Sequence, residues 1–263
     1  MGGHPANPEI REVSPEGIDS VNIMCTMPDS DPRAVMEESA RVHRHVASIG
    51  VRTLAVFDEG KPVGRLEIMP IEAAPLALSG DGLWVIRCLW VLEKSQGRGM
   101  GRALMERAIE IASGSKGIAV VTYNNWMPVP FFEKFGFELV DRKGSASLLL
   151  LKMSPHATAS FVPPRNAVPI SPDRSKGDLV AVEAVFTGRC PWLMQSWRRW
   201  LRAARDMSDR VVTSERFIFT RDDAMHYGDE NIYIDGIPLD DSPLNLEAFR
   251  KAVAARLLEK GLG

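Results

Sequence analysis

The apolar positions of this chain fall into blocks whose period switches between two and about 3.6, the marks of strand and helix. Residues 8–13 read as a first strand. Asp31-Pro32 is a helix start, with Asp as cap and Pro at the first helical position. Val35, Met36, Ala40, Val42 and Val46 then keep a helical period up to Gly50. Residues 51–57 and 63–71 flank the turn Asp58-Glu59-Gly60-Lys61 and predict a hairpin. Residues 83–92 form a near-continuous apolar run, as a central strand buried on both faces requires. A helix over 101–112, closed by Ser113-Gly114, a strand over 118–123 and a short helix over 129–135 ending at Gly136 follow. Residues 137–140 and 147–153 make a last antiparallel pair.

Residues 154–178 break the pattern. They hold Pro155, Pro163, Pro164, Pro169 and Pro172 and no sustained apolar period. Proline removes a backbone donor and is excluded from helix interiors, so the stretch predicts a linker rather than a long loop inside one domain. The domains are then 1–153 and 179–263. In the second, a strand over 179–186 leads through Thr187-Gly188-Arg189-Cys190-Pro191-Trp192 into a helix carrying Leu193, Trp197, Trp200, Leu201 and Ala204. A β-rich run over 211–219, a short helix over 221–227 and a strand over 231–234 come next. After the turn Asp235-Gly236, a helix carries Leu246, Phe249, Val253 and Leu257 on one face.

Composition narrows the function classes. Apolar residues are 45 % and charged residues 25 %, which is ordinary for a folded soluble domain. With 32 Lys+Arg against 34 Asp+Glu the net charge is −2, which argues against a dedicated nucleic-acid binder. No segment approaches the ~18 unbroken apolar residues that span a bilayer. The start Met1-Gly2-Gly3-His4-Pro5 lacks the apolar core of a signal peptide. The three cysteines are dispersed and odd in number, so they make no disulfide framework. A cytosolic chain with no membrane partner is the expectation.

The strongest chemical signal is Leu89-Trp90-Val91-Leu92-Glu93-Lys94-Ser95-Gln96-Gly97-Arg98-Gly99-Met100-Gly101-Arg102. A buried strand runs into a glycine-rich turn, and the turn opens a helix. Glycines permit positive φ and close approach of a ligand. The first helical turn offers unpaired N–H groups and the positive end of the dipole, an anion site suited to phosphate. Arg98 and Arg102 add charge. A P-loop would need Gly-Lys-Ser/Thr where Gly101-Arg102-Ala103 stands, and glycines at every second position fit a dinucleotide fingerprint poorly. A ligand-free glycine turn is the remaining alternative.

Gln96-Gly97-Arg98-Gly99-Met100-Gly101 resembles the cofactor motif Gln/Arg-x-x-Gly-x-Gly/Ala of the GNAT acetyltransferase family. Asn125-Trp126-Met127-Pro128-Val129-Pro130-Phe131-Phe132-Glu133-Lys134-Phe135-Gly136-Phe137 is similar to a second block of that family, position for position. The resemblance covers about residues 8–153 and implies a mixed α/β (α+β) fold, a central sheet flanked by helices. It implies that acetyl-CoA is the co-substrate, with its pyrophosphate on the amides of the turn from Gln96 to Arg102. The pantetheine arm would enter between the strands at 87–91 and 120–123 and bond backbone groups of Leu89, Trp90 and Val91. Asn125, Phe131 and Phe132 would complete the cofactor site. The acceptor would be a small-molecule or peptide amine, acetylated directly.

Two departures bear on the chemistry. Phe132 stands where many relatives carry a tyrosine that protonates the leaving thiolate; Tyr123 is a substitute donor. Relatives often keep a basic carboxylate on the central strand, but 83–92 contains none. Glu67 on the preceding strand is the candidate base, acting through water, and a solvated strand-face carboxylate is its alternative reading. A non-catalytic acyl-CoA sensor is the corresponding alternative for the domain. Cys88 and Cys25 read as core residues. His43 and His45, two apart on a helix, point to different faces and make no metal pair.

The order strand–Cys–helix–strand–helix–strand–helix in 179–263 resembles a reduced thioredoxin-like fold, and its place behind an acetyltransferase is similar to the YoaP-like family. Cys190 falls at the nucleophile position of that fold. The sequence Cys190-Pro191-Trp192-Leu193 supplies no resolving cysteine, so the alternatives are an inert thiol and a reactive or soft-metal-binding one. Arg198, Arg199, Arg202 and Arg205 make one face of the following helix basic, either a solvated face or a surface for an acidic partner.

Overall fold

The computed structural model describes residues 8–25, 33–123, 126–163, 178–239 and 245–263. Residues 1–7, the Asp31-Pro32 cap, Asn125 and most of the proline-rich stretch lie outside the described residues. The chain forms two compact units. The first comprises Met1–Ala74 with Ser79–Ser160, and the second Pro75–Leu78 with Phe161–Gly263.

The elements of the first unit are β1 (Glu9–Val13), α1 (Asp19–Asn22), α2 (Arg33–Ala47), β2 (Arg52–Asp58) and β3 (Lys61–Pro70). A short segment β4 (Leu78–Ser79), which begins on the last of the residues 75–78 assigned to the second unit, precedes β5 (Leu83–Val91) and α3 (Met100–Ile111). Then come β6 (Gly117–Thr122), α4 (Val129–Glu133), β7 (Glu138–Lys143), β8 (Ala146–Lys152) and β9 (Ser160–Phe161), which pairs with β4. The main sheet has seven strands in the order β1-β2-β3-β5-β6-β8-β7. Neighbours are antiparallel except β5 and β6, which run parallel with α3 as their crossover.

Local sequence accounts for most of this. The β2–β3 hairpin closes with Glu59 and Gly60 both at positive φ, the turn whose twist matches paired strands. Alternation on β2 and β3 sends Leu54, Val56, Leu66 and Ile68 to one face, against Leu104, Met105 and Ala108 of α3. The opposite face of β3 carries Arg65 and Glu67, which meet side chains of α1 and α2. The turn and helix over residues 15–25 have no apolar period and were not legible in advance; Ser14 caps them through its hydroxyl, which accepts from the Gly17 N–H.

The second unit contains β10 (Val180–Phe186), α5 (Pro191–Arg205), β11 (Val211–Phe217), α6 (Arg221–Tyr227), β12 (Asn231–Ile234), β13 (Ile237–Pro238) and α7 (Leu246–Glu259). Its sheet has the order β11-β10-β12-β13. β10 and β11 are parallel, while β10–β12 and β12–β13 are antiparallel. Of the helical period predicted for α5, Trp197, Trp200, Leu201 and Ala204 are buried while Leu193 is half-buried, and Met194 joins the buried face. Trp200 stacks on Phe249 of α7 at 5.2 Å. Thr220 and Asp223 form a capping box that starts α6. Asp235, in the β12–β13 turn, accepts from Arg256 at 2.8 Å, from Lys260 at 2.7 Å and from the Ala181 N–H at 2.9 Å, tying α7 to β10. Residues 75–78 belong to this unit through long-range polar contacts. Asp229 accepts from the Ala77 N–H at 2.6 Å, and Arg221 Nε donates to the Leu78 carbonyl at 2.9 Å.

Candidate active site

The parallel ladder between β5 and β6 ends at Ile86 and Val120. Both strands continue past that point. β5 stays paired with β3 as far as Val91 opposite Gly64, and β6 stays paired with β8 as far as Thr122 opposite Ser147. The cause of the divergence is a register slip on β5. Glu67 pairs with Cys88 and Ile68 with Ile86, so Arg87 is one residue too many. An extra residue bends and twists its strand, and here it turns the end of β5 from β6. In an antiparallel pair only alternate residues bond their neighbour, so the others on 87–91 turn N–H and C=O groups toward the gap.

The glycine-rich turn follows the diverging strand. Gln96 Nε2 donates to the Val91 carbonyl at 3.0 Å and pins the turn to the strand end. Gly97 and Gly99 have φ of +74° and +83°, and a Cβ at either would meet nothing within 4 Å. The need for glycine there is backbone conformation, not space. Gly99 is the N-cap of α3, with no side-chain cap bond. The first intrahelical bond is Ala103 N–H to Gly99 C=O at 3.0 Å, so the amides of Met100, Gly101 and Arg102 precede it. These are orphan donors at the positive end of a helix of twelve residues.

The arginines of the turn are otherwise engaged. Arg98 grips Asp58 of the β2–β3 hairpin with both terminal nitrogens, at 2.6 and 3.2 Å. That pairing holds the Asp58 carboxyl below the usual carboxylate range. Arg102 lies 3.8 Å from Glu106 and over the Phe135 ring at 5.6 Å. Around the helix start, Phe131 is half-buried and stands 3.3 Å from where a Gly101 Cβ would be. Phe132, expected at the cofactor, is fully buried at 0 % exposure and packs edge-on to Phe137 at 5.5 Å. It is a core residue, because α4 turns only one aromatic of the adjacent pair outward. Tyr123 and Trp126 exchange backbone bonds at 3.1 and 3.2 Å and stack their rings at 6.4 Å. Leu89 and Trp90 are half-buried and Val91 is buried. Cys88 and Cys25 are half-buried as well, less enclosed than core cysteines.

Glu67 is not a solvated strand-face carboxylate: its exposure is 2 %. It belongs to a buried polar cluster that sequence reasoning missed. Arg65 donates to Glu67 Oε2 at 3.3 Å and to Asn22 Oδ1, Asn22 Nδ2 donates to Ser39 Oγ at 3.0 Å, and His43 Nδ1 lies 3.9 Å from Glu67 Oε2. The available signal was Ser39 and His43, four apart among the apolar positions of α2. A cavity of about 610 Å³ lies along the ends of β1 and α2 and the start of β2, lined by His43, Thr53 and Trp84 among others. It is remote from the glycine turn, which follows the far end of β5. Among the described residues no group of three or more His, Cys, Asp and Glu could hold a metal ion.

In the second unit Cys190 is the N-cap residue of α5 and half-buried, with Pro191 at the first helical position. Thr187, three residues earlier, donates to Glu230 from its N–H at 2.8 Å and its hydroxyl at 2.7 Å. That links the β10–α5 connection to the entry of β12.

A family comparison adds to this geometry. Residues 50–139 match the model of the acetyltransferase (GNAT) domain. By that domain the chain is an N-acetyltransferase. The match takes in the hairpin, the diverging β5, the glycine turn and the second motif. No curated protein matches the chain. Among solved structures it is similar to an acetyltransferase from Thermus thermophilus, at 19 % identity and a TM-score of 0.45 over 57 % of this chain and 100 % of that one. It is also similar to the PaiA N-acetyltransferase of Thermoplasma acidophilum, solved with coenzyme A, at 17 % identity and 0.43 over 56 % and 99 %. A GNAT family acetyltransferase from Brucella melitensis, solved with acetyl-CoA, gives 14 % and 0.41 over 60 % and 97 %. No described helix is long and apolar enough to cross a membrane.

Proposed function

We propose that the first unit moves an acetyl group from acetyl-CoA directly to a primary amine. The observation that carries this is the ladder ending at Ile86 and Val120, with the orphan amides of α3 beyond the end of the diverging strand. The donor set fits the ligand: backbone N–H groups for a pyrophosphate, then a strand edge with unspent polar groups for an amide-bearing pantetheine arm. Acetyl-CoA would bring the thioester. Gly97, Gly99, Met100, Gly101 and Arg102 would hold the phosphates by backbone, with Gln96 fixing the turn. Leu89, Trp90 and Val91 would bond the arm, one N–H polarising the carbonyl. Asn125 and Phe131 would flank the cofactor. Arg98 would serve less as a phosphate ligand than as the tie to Asp58. Glu67 would take the amine proton, and Tyr123 would protonate the thiolate.

Thermal unfolding with acetyl-CoA and CoA, against NADH and ATP, tests the first half. Ligand at ~100 times its dissociation constant stabilises the native state by ~2.7 kcal/mol, a rise of several degrees for acetyl-CoA and CoA alone. CoA release across an amine panel tests the second half. Binding without turnover would favour an acyl-CoA sensor instead.

We further propose that residues 179–263 form a thioredoxin-like, YoaP-like accessory domain. The strand order, with one parallel and two antiparallel pairings, and Cys190 between β10 and α5 support this reading. A reactive or soft-metal-binding Cys190 would alkylate faster than a simple thiol or take up metal, and an unperturbed rate without uptake would make it structural. Three cysteines outside any disulfide and a near-neutral charge support a cytosolic setting without nucleic-acid partners.

A further inference from the structure

His43 belongs both to the buried polar cluster and to the wall of the cavity. This double membership matters because acetyl transfer to a protonated amine releases a proton. The C–N bond forms, the thioester C–S bond breaks, and the ammonium gives up two protons. One leaves with the CoA thiol and the other must reach the medium. Glu67 is 2 % exposed and held from one side by Arg65 at 3.3 Å, so a proton taken there needs a second group to carry it out. Burying a charged pair in this way costs stability relative to an apolar pair, so packing gives no reason for the cluster.

We infer that His43 is the proton exit of the acetyl-transfer site. The inference rests on the reading of Glu67 as the base. Glu67 takes the proton of the acceptor ammonium, passes it to the imidazole of His43, and returns to carboxylate beside Arg65. His43 then gives the proton to water in the cavity. The geometry supplies each link. Glu67 pairs with Cys88, immediately after the extra residue that diverts β5 from β6. Its Oε2 stands 3.9 Å from His43 Nδ1, a gap of the kind that shortens to hydrogen-bond length when substrate binds. Charged groups near the path include Arg65 and Glu67 on β3, with Glu12 and Arg52 at the cavity, themselves paired at 2.7 Å.

The experiment is steady-state CoA release by the full chain with acetyl-CoA and the fastest amine of a primary-amine panel. His43→Ala is expected to lower kcat by ~10-fold with KM for acetyl-CoA unchanged, and added imidazole, admitted by the cavity, to restore most of it. Should His43→Ala not fold, His43→Gln keeps the volume without the titrating ring, and its loss should be relieved by a higher concentration of imidazole buffer. Wild-type kcat in the variants, or a loss that imidazole does not relieve, overturns the proton exit and leaves the acetyl-transfer reading intact. A wild-type protein that binds acetyl-CoA but turns over no amine overturns both, and that result is read without any variant.

Discussion

At the scale of single residues, Gly99 and Phe132 show how differently two motif positions act. Gly99 holds φ of +83° at the start of α3, in open space. A β-branched side chain there is strained whatever surrounds it. Gly99→Val should therefore remove the thermal shift given by CoA while the ligand-free protein stays folded, which circular dichroism and the same melt would read together. Phe132 was expected to touch the cofactor from its place in the second motif, but its ring is enclosed with Phe131 and Phe137. Phe132→Tyr puts a hydroxyl into that apolar packing. It should cost about 1–3 kcal/mol in denaturant unfolding and bring no gain in kcat. Gly97 and Gly99 were legible because conformation is a property of the residue. The burial of Phe132 was not, because which of two adjacent aromatics turns inward depends on what α4 packs against.

Among the elements, β3 and β5 matter most. Their pairing slips by one residue at Arg87, and no composition or period announces a slip. Their far ends approach closely at Gly64, where an added Cβ would stand 2.9 Å from the Trp90 carbonyl and from the Val56 and Val91 side chains. Gly64→Ala should push β3 off the end of β5, destabilising the first unit by about 1–3 kcal/mol and weakening CoA binding at the adjoining turn. Calorimetric titration with CoA beside a urea melt would separate the two effects. A near-neutral result in both would mean the strands yield without cost. The strands, α3, α5 and α7 were readable from period alone, since each buries a stripe that its own sequence encodes. β4, β9 and β13 were not, because two-residue strands exist only through their partners.

For the molecule as a whole, two carboxylates of the second unit set opposite pH dependences. Burial pushes the Glu183 carboxyl of β10 up to about 7, against the pull of Arg216 at 3.0 Å. Between its ordinary 4.5 and about 7 the folded state keeps a proton that the unfolded chain has released. Stability of the second unit should then fall as pH rises through that window and level off above it. Asp235 acts in the opposite sense. Burial raises its carboxyl, but bonds from Lys260, Ala181 and Arg256 outweigh that and hold it below the ordinary 3.8. Its contribution is lost as pH falls through that range. Glu183→Gln should flatten the slope between pH 4.5 and 7 in unfolding monitored by tryptophan fluorescence, and an unchanged slope would assign the proton elsewhere. By itself, the sequence determined the long helices, the long strands and the glycine turn, because those depend on neighbours along the chain. Only the tertiary structure decided that β5 leaves β6 at Ile86, that Arg98 is tied to Asp58, that Glu67 is enclosed with Arg65 and His43, and that residues 75–78 pack with the second unit. Each of these joins positions far apart in sequence, so its energy comes from register and packing that no local pattern contains.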